Sequence, residues 1–323
     1  MIEHEAIVVG GGPAGAATAW ELTRRGVNCL VLDRTAFPRE KLCAGWITPD
    51  VVADLEFDPG EYPHRFLTFD ALRIAVKGLP VTLRSTQHSI RRFELDAWLL
   101  ERSGAPFAVH EVRRIESDGE RYVLDDRYRC RFVIGAGGTR CPVYRNLFRS
   151  EQPREKSLQA VTLELEFPYD WQDRDCHLWF LDKGLPGYSW YVPKADGYLN
   201  VGVGGMAQKL KSRGDDIHRH WKLLVRRLMD KGLVDAPPGN PSGYSYFLRG
   251  PSEHIRRGNA FVVGDALGLA TRDMCEGIGP AVRSGLLAAR AIVEDAEYTL
   301  DSVGAFTIDN RLAHKGLEYA LAG

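Results

Sequence analysis

Several features are missing from this sequence, and each absence removes a class of protein. No window approaches the ~18 consecutive apolar residues of a membrane-spanning helix. The start, MIEHEAIVVGGG, lacks the basic segment followed by an apolar stretch that marks a secretory signal. Neither sign of charge is in excess: 42 Lys and Arg face 43 Asp and Glu, which argues against a dedicated nucleic-acid binder. Six cysteines (Cys29, Cys43, Cys130, Cys141, Cys176, Cys275) form no CxxC pair. Their spacing is therefore that of neither a zinc site nor a redox dithiol, and it suits a reducing cytoplasm. His218 and His220 point apart on a predicted helix, so no metal site is expected there. Repeats and low-complexity linkers are absent as well. These absences together predict a soluble cytoplasmic chain with no nucleic-acid partner, no metal and no membrane span, and they leave peripheral membrane contact open.

Glycine is present in excess, at 33 of 323 residues against a usual share near ~7 %. The glycines are clustered, which in a chain without low-complexity sequence means tight turns or backbone brought close to a ligand. Residues 5–9 (EAIVV) read as a buried strand, 13–26 as a helix with Pro13 at its start and Gly26 as its stop, and 27–33 (VNCLVLD) as a second buried strand. Between the first strand and the helix stands Gly10-Gly11-Gly12-Pro13-Ala14-Gly15, and Asp33 ends the next strand, 23 residues after Gly10. That is the βαβ pattern of a dinucleotide site, with a pyrophosphate at the helix N-terminus and an acid for the adenosine ribose.

Farther along, 69–86 reads as two strands, 92–103 as a helix, and 107–116 and 121–134 as strand segments. A β-rich block follows at 158–206. The segment 207–232 is helical with a solvated basic face, 260–265 is a glycine-ended strand, and 278–295 is a long alanine-rich helix. Dinucleotide-type elements at both ends around a β-rich middle predict an α/β fold: a discontinuous Rossmann-like domain at 1–67, 87–156 and 250–323, and an inserted β-rich substrate domain at 68–86 and 157–249.

Four further segments narrow the ligand. They are KLCAGW at 41–46, RFELDAWL at 92–99, GYSWYVPKADGYLNVGVG at 187–204, and GDALGLATRDMCEGIGPAVRSG at 264–285. Taken with GGGPAG and Asp33, they resemble the flavoprotein hydroxylase superfamily, and within it the geranylgeranyl reductase family. The resemblance implies bound FAD in a p-hydroxybenzoate hydroxylase-like fold. It assigns Gly10, Gly12, Pro13, Ala14 and Gly15 to the pyrophosphate turn and Asp33, with Arg34 beside it, to the adenosine ribose. Lys41, Cys43, Ala44 and Gly45 would lie beside the flavin, Arg92 and Val112 would add further cofactor contacts, Gly264 and Asp265 would meet the ribityl-phosphate region, and Gly277 and Ile278 the pyrimidine edge. Cys43, Tyr188 and Trp190 become the candidate catalytic residues, Cys43 as a cavity wall or proton donor and the two aromatics, on one face of a strand, as pocket lining.

The implied reaction is reduction of a C=C bond in an apolar, isoprenoid-like substrate by hydride from reduced flavin, with NAD(P)H or a separate reductase as electron donor. The YSWYVP segment also resembles the WxWxIP motif of flavin-dependent halogenases, which keeps a monooxygenase or halogenase chemistry open. Three departures stand out: Gly137 replaces the aspartate of the superfamily's GADG segment, Val192 a phenylalanine, and Cys275 a glycine of the closing loop. The chain runs 38 residues past Gly285 (323 − 285), so the C-terminal part that often completes substrate enclosure in larger relatives is expected to be mostly missing.

Overall fold

A computed structural model describes residues 1–307. The expected C-terminal end of the cofactor domain, from 308 onward, lies outside the described residues. The chain divides into two compact units. The first comprises Met1–Arg39, Phe93–Glu155 and the described residues from Phe247 onward, and the second Glu40–Arg92 and Lys156–Tyr246.

The first unit is built on a largely parallel sheet in the order Arg256–Arg257, Ala260–Val262, Tyr128–Gly135, Ile2–Val9, Cys29–Asp33, Phe107–Val109. Ile2–Val9 runs parallel to both of its neighbours, with Val8 opposite Val31 on one side and Ile134 on the other. All three side chains are fully buried, as the unbroken apolar runs of a sheet covered on both faces require. The helices Pro13–Arg24 and Ile278–Val293 pack directly on each other. Small residues permit this: a Cβ at Gly285 would overlap the carbonyl oxygen of Ala14 and lie 2.8 Å from Thr18 Oγ1.

The second unit is a mainly antiparallel sheet in the order Ser242–Phe247, Gln159–Pro168, Tyr198–Met206, Gly187–Lys194, Cys176–Phe180, Leu67–Val76, Leu79–Ser89, Trp46–Ile47. One face carries Leu163, Tyr191, Val201 and Val203 and is covered by the helix Ile217–Asp230 through Trp221, Leu224 and Leu228. The opposite face carries Tyr188, Trp190, Gly202, Gly204, Thr162 and Glu164 in cross-strand register.

The boundaries differ from those expected at 40–67 and 87–92, which cluster with the second unit. The reason is pairing: Trp46–Ile47 adds to Leu79–Ser89 as an antiparallel edge strand, and Ile90 N donates to Gly45 O at 2.9 Å. The segment 207–232 is two helices, Ala207–Ser212 and Ile217–Asp230, because Gly214 breaks the run and Asp216 caps the second by accepting from His218 N at 3.0 Å.

Candidate active site

The glycine turn of the first unit has the geometry its sequence predicts. Gly10 has φ +115°, and a Cβ there would lie 2.5 Å from Ala136 C and O, so this position admits no side chain. At Gly15 a Cβ would overlap the Gly10 carbonyl oxygen. Gly12 is the N-cap of the helix Pro13–Arg24 and contributes no side-chain cap, so the helix N-terminus keeps its anion-binding character. Asp33 serves the turn: its Oδ2 accepts from Gly11 N at 2.9 Å and its Oδ1 from Thr35 N and Thr35 Oγ1 at 3.1 Å. Arg34 is exposed, and Val112 is buried in the apolar core of this unit.

Arg39 was not legible from the sequence. A Cβ at Gly12 would meet nothing nearer than its Nη2, at 3.5 Å. That guanidinium is held 3.6 Å from the fully buried carboxylate of Asp96 and lies 4.7 Å from the centroid of the Phe37 ring. A permanent cation fixed beside an uncapped helix N-terminus fits a pyrophosphate well. The fit extends to the adjoining loops, where Arg154 donates to Thr139 O and Ala266 O, both at 2.7 Å, and ties the Gly137-Gly138 loop to the Gly264-Asp265 turn.

Gly264 has φ +60° and receives the helix Ile278–Val293 closely, since a Cβ there would lie 3.2 Å from Ala281 Cβ. Asp265 is half-buried in the turn that follows. Cys275, standing where a glycine is usual, has φ +54°, the left-handed conformation that explains the usual glycine. Gly277 and Ile278 open the long helix as expected, but its N-terminus is already partnered: Gly279 N donates to Glu276 Oε1 at 2.6 Å.

Glu276 is buried, and burial pushes its carboxyl up from 4.5 to about 7, with Asp265 and Asp273 adding to the effect against the helix N–H groups. An acid whose folded value is raised costs nothing where both states are protonated, and it costs stability increasingly as pH rises through the interval. Wild-type protein should therefore lose stability from about pH 5 to about pH 7, by on the order of 3 kcal/mol from this group. Thermal unfolding of Glu276→Gln across that range should show a correspondingly flatter slope.

The second unit gathers the other candidates. Trp190 lies flat over the glycine strand, and a Cβ at Gly202 would overlap its ring. The indole Nε1 donates to Asn200 Oδ1 at 2.7 Å, and Asn200 Nδ2 donates to Cys43 O at 3.1 Å, so one network fixes Trp190 and the Cys43 backbone together. Tyr188 stands two residues along the same face, stacked on Phe180 at 4.7 Å and tilted against Trp190 at 5.7 Å. The Lys41 ammonium lies 3.4 Å from the centroid of the Tyr244 ring and donates to Leu42 O. Ala44 and Gly45 present their carbonyls to the buried Lys194, whose Nζ donates to Ala44 O, to Gly45 O at 2.6 Å and to Ile90 O at 2.8 Å. Arg92 begins the helix Arg92–Arg102 and is half-buried. Lys194 and Asn200 lie inside the 187–204 segment, but their roles are found only through these contacts, which reach as far as 150 and 157 residues along the chain. Among the described residues no group of three or more His, Cys, Asp or Glu could hold a metal, and no helix is long and apolar enough to cross a membrane.

Comparison with known proteins agrees with this geometry. Residues 5–67 match the family described as FAD dependent oxidoreductase (DAO). A geranylgeranyl diphosphate reductase of Rhodobacter capsulatus is 31 % identical over 309 residues, covering 90 % of this chain and 75 % of that protein. A menaquinone reductase of Mycobacterium tuberculosis is 27 % identical over 310 residues, covering 89 % and 76 %. Among solved structures, a geranylgeranyl bacteriochlorophyll reductase-like protein of Thermoplasma acidophilum superposes with a TM-score of 0.77 at 17 % identity, over 99 % of this chain and 83 % of that one. The fold and the glycine turn are those of an FAD-dependent oxidoreductase, and FAD is its cofactor. More closely, the chain belongs to the geranylgeranyl reductase family.

Proposed function

We propose that this enzyme saturates a C=C bond in an apolar, isoprenoid-like substrate. The observation that carries the reading is the aromatic face of the second unit, where the buried rings of Phe180, Tyr188 and Trp190 adjoin one another and Trp190 packs on the glycine strand at Gly202. Such a face binds an unsaturated hydrocarbon by dispersion and water exclusion and offers it few hydrogen-bonding groups. The names of the two relatives, which carry a geranylgeranyl group and a menaquinone, support the same substrate class.

FAD, once reduced, supplies a hydride. The protein's own contribution is binding and orientation. In the first unit, Gly10, Gly12, Pro13, Ala14 and Gly15 with Arg39 hold the pyrophosphate, Asp33 the ribose, and Gly264 and Asp265 the ribityl-phosphate region. In the second, Tyr188 and Trp190 hold the alkene, and Cys43 borders the same face through its link to Asn200. Electrons come from NAD(P)H or a separate reductase, and the six free cysteines suit a reducing cytoplasm.

The test is anaerobic. Holoenzyme is reduced chemically and mixed with geranylgeranyl diphosphate, and flavin oxidation is followed alongside product mass. Oxidation by the alkene with a gain of two hydrogens per double bond is expected. Reduced protein that the alkene leaves untouched, and that oxygen oxidises at a rate set by an aromatic substrate, would overturn the reading in favour of oxygen chemistry.

A further inference from the structure

Saturating a double bond takes a hydride and a proton; Cys43 is the donor the sequence suggests, but its link to the aromatic face runs through its backbone carbonyl. The aromatic face of the second unit contains one acid suited to that task. Glu164 lies on Gln159–Pro168 directly across from Gly202, which in turn lies across from Trp190. The position a Cβ would take at Gly202 is 2.8 Å from Glu164 Cβ on one side and inside the indole on the other, so the carboxyl-bearing side chain and Trp190 flank the same glycine. Glu164 is 3 % exposed, and its Oε2 has no hydrogen-bond partner among the described residues. Its neighbour two residues on, Glu166, is instead engaged with Arg91 at 2.8 Å. A buried carboxyl oxygen left unpartnered costs about 1–3 kcal/mol, a cost that a purely structural acid would relieve by bonding.

We propose that Glu164 is the proton source of the reduction, poised on the substrate-facing side of the sheet beside Trp190. The inference rests on the proposed alkene reductase reading. As the hydride from the cofactor forms one C–H bond, the π electron pair takes the Glu164 proton at the other carbon. The carboxylate left behind regains a proton from solvent. Two electrons pass from cofactor to alkene and none is left over.

The surrounding charges set the working range. Burial raises the Glu164 carboxyl from 4.5 to about 7, Glu166 adds to that effect, and Lys41, Lys194 and Arg92 oppose it. An acid in this range gives up and recovers a proton readily near neutrality.

The experiment compares wild type, Glu164→Gln and Glu164→Asp as FAD holoenzymes, with alkene reduction measured in single turnover across pH. Wild type should slow as pH rises above about 7. Glu164→Gln should fall by about 10²–10⁴-fold and lose that alkaline limb, with FAD content and unfolding temperature unchanged. Glu164→Asp should retain part of the rate and keep a limb, displaced in pH. If Glu164→Gln fails to fold, an Asp variant with wild-type rate and an undisplaced limb overturns the proposal. A Gln variant within threefold of wild type and with the same limb overturns the proton assignment alone. A wild type that reduces no alkene overturns the functional reading and this assignment with it.

Discussion

Gly15→Ala should abolish FAD binding. The new methyl would coincide with the Gly10 carbonyl oxygen, and it would also lie 3.2 Å from Ala136 Cβ. Neither obstacle is the movable end of a flexible side chain. Gly10 has little room to yield, because it takes φ +115° and packs so closely on Ala136 that even a Cβ there would lie 2.5 Å from Ala136 C and O. The helix Pro13–Arg24 would have to move back from the turn and carry its N-terminal amides away from the phosphate position. Overpacking of this kind costs about 1–3 kcal/mol in stability, and backbone obstacles place it at the upper end. The effect on affinity should be greater still, at least about 10²-fold, since small misplacements of positioning groups are amplified at a binding site. Flavin absorbance retained after desalting, with FAD titrated back, gives the measurement. Gly12→Ala is the control, because its methyl meets only Arg39 Nη2, at 3.5 Å, and should leave the unfolding temperature nearly intact. A Gly15→Ala protein that keeps its flavin through desalting would show that this turn is not the pyrophosphate site.

Lys194→Met should destabilise the second unit by about 3–5 kcal/mol, in the range seen when one partner of a buried polar cluster is removed. The three donors of the fully buried Lys194 ammonium are matched to three carbonyls, those of Ala44, Gly45 and Ile90. Methionine fills the space but leaves three buried acceptors without a donor. Nor can backbone at Gly45 rearrange freely, because it has φ +70° and a Cβ there would overlap Ile90 O and Lys194 Nζ. Denaturant unfolding followed by tryptophan fluorescence would report the change, since Trp190 shares the Asn200 network that reaches the Cys43 carbonyl. A loss under about 1 kcal/mol would mean that water or a shifted loop satisfies the carbonyls.

The parts of this protein that could be read from sequence are those whose cause is local. The glycine turn announces itself by the spacing of Gly10, Gly12 and Gly15 between a strand and a helix, and at Gly15 the steric demand is local, coming from the Gly10 carbonyl. The shared face of Tyr188 and Trp190 follows from strand alternation, and the pairing of Trp190 with Gly202 explains why glycines follow the aromatic motif. What escaped is non-local. Arg39 sits in an irregular stretch and matters only because folding brings it beside Gly12 and Asp96. Lys194 reads as an ordinary charge at a strand end, yet its partners lie 104 to 150 residues away. Glu164 and Glu166 alternate like the wet face of an amphipathic strand, whereas Glu164 is buried. Glu276 carries no signal of its own in the sequence, and only its contact with Gly279 N reveals a cap. The domain limits at 40–67 and 87–92 were misplaced for the same reason, since edge pairing by Trp46–Ile47 leaves no signature in two residues.

The Lys194 cluster also constrains how the chain folds during synthesis. Residues 40–92 belong to a unit whose remainder begins at Lys156, so 63 residues of the other unit (93–155) emerge first. The carbonyl of Ile90 waits for a donor 104 residues downstream. At the usual pace of translation, about 5–20 residues per second, that wait lasts roughly 5–20 s. Throughout it, Leu67–Val76 and Leu79–Ser89 can pair as a hairpin, but the strand Cys176–Phe180 that will flank them does not yet exist. The nascent chain therefore carries an unpaired sheet edge, the kind of surface that holding chaperones protect.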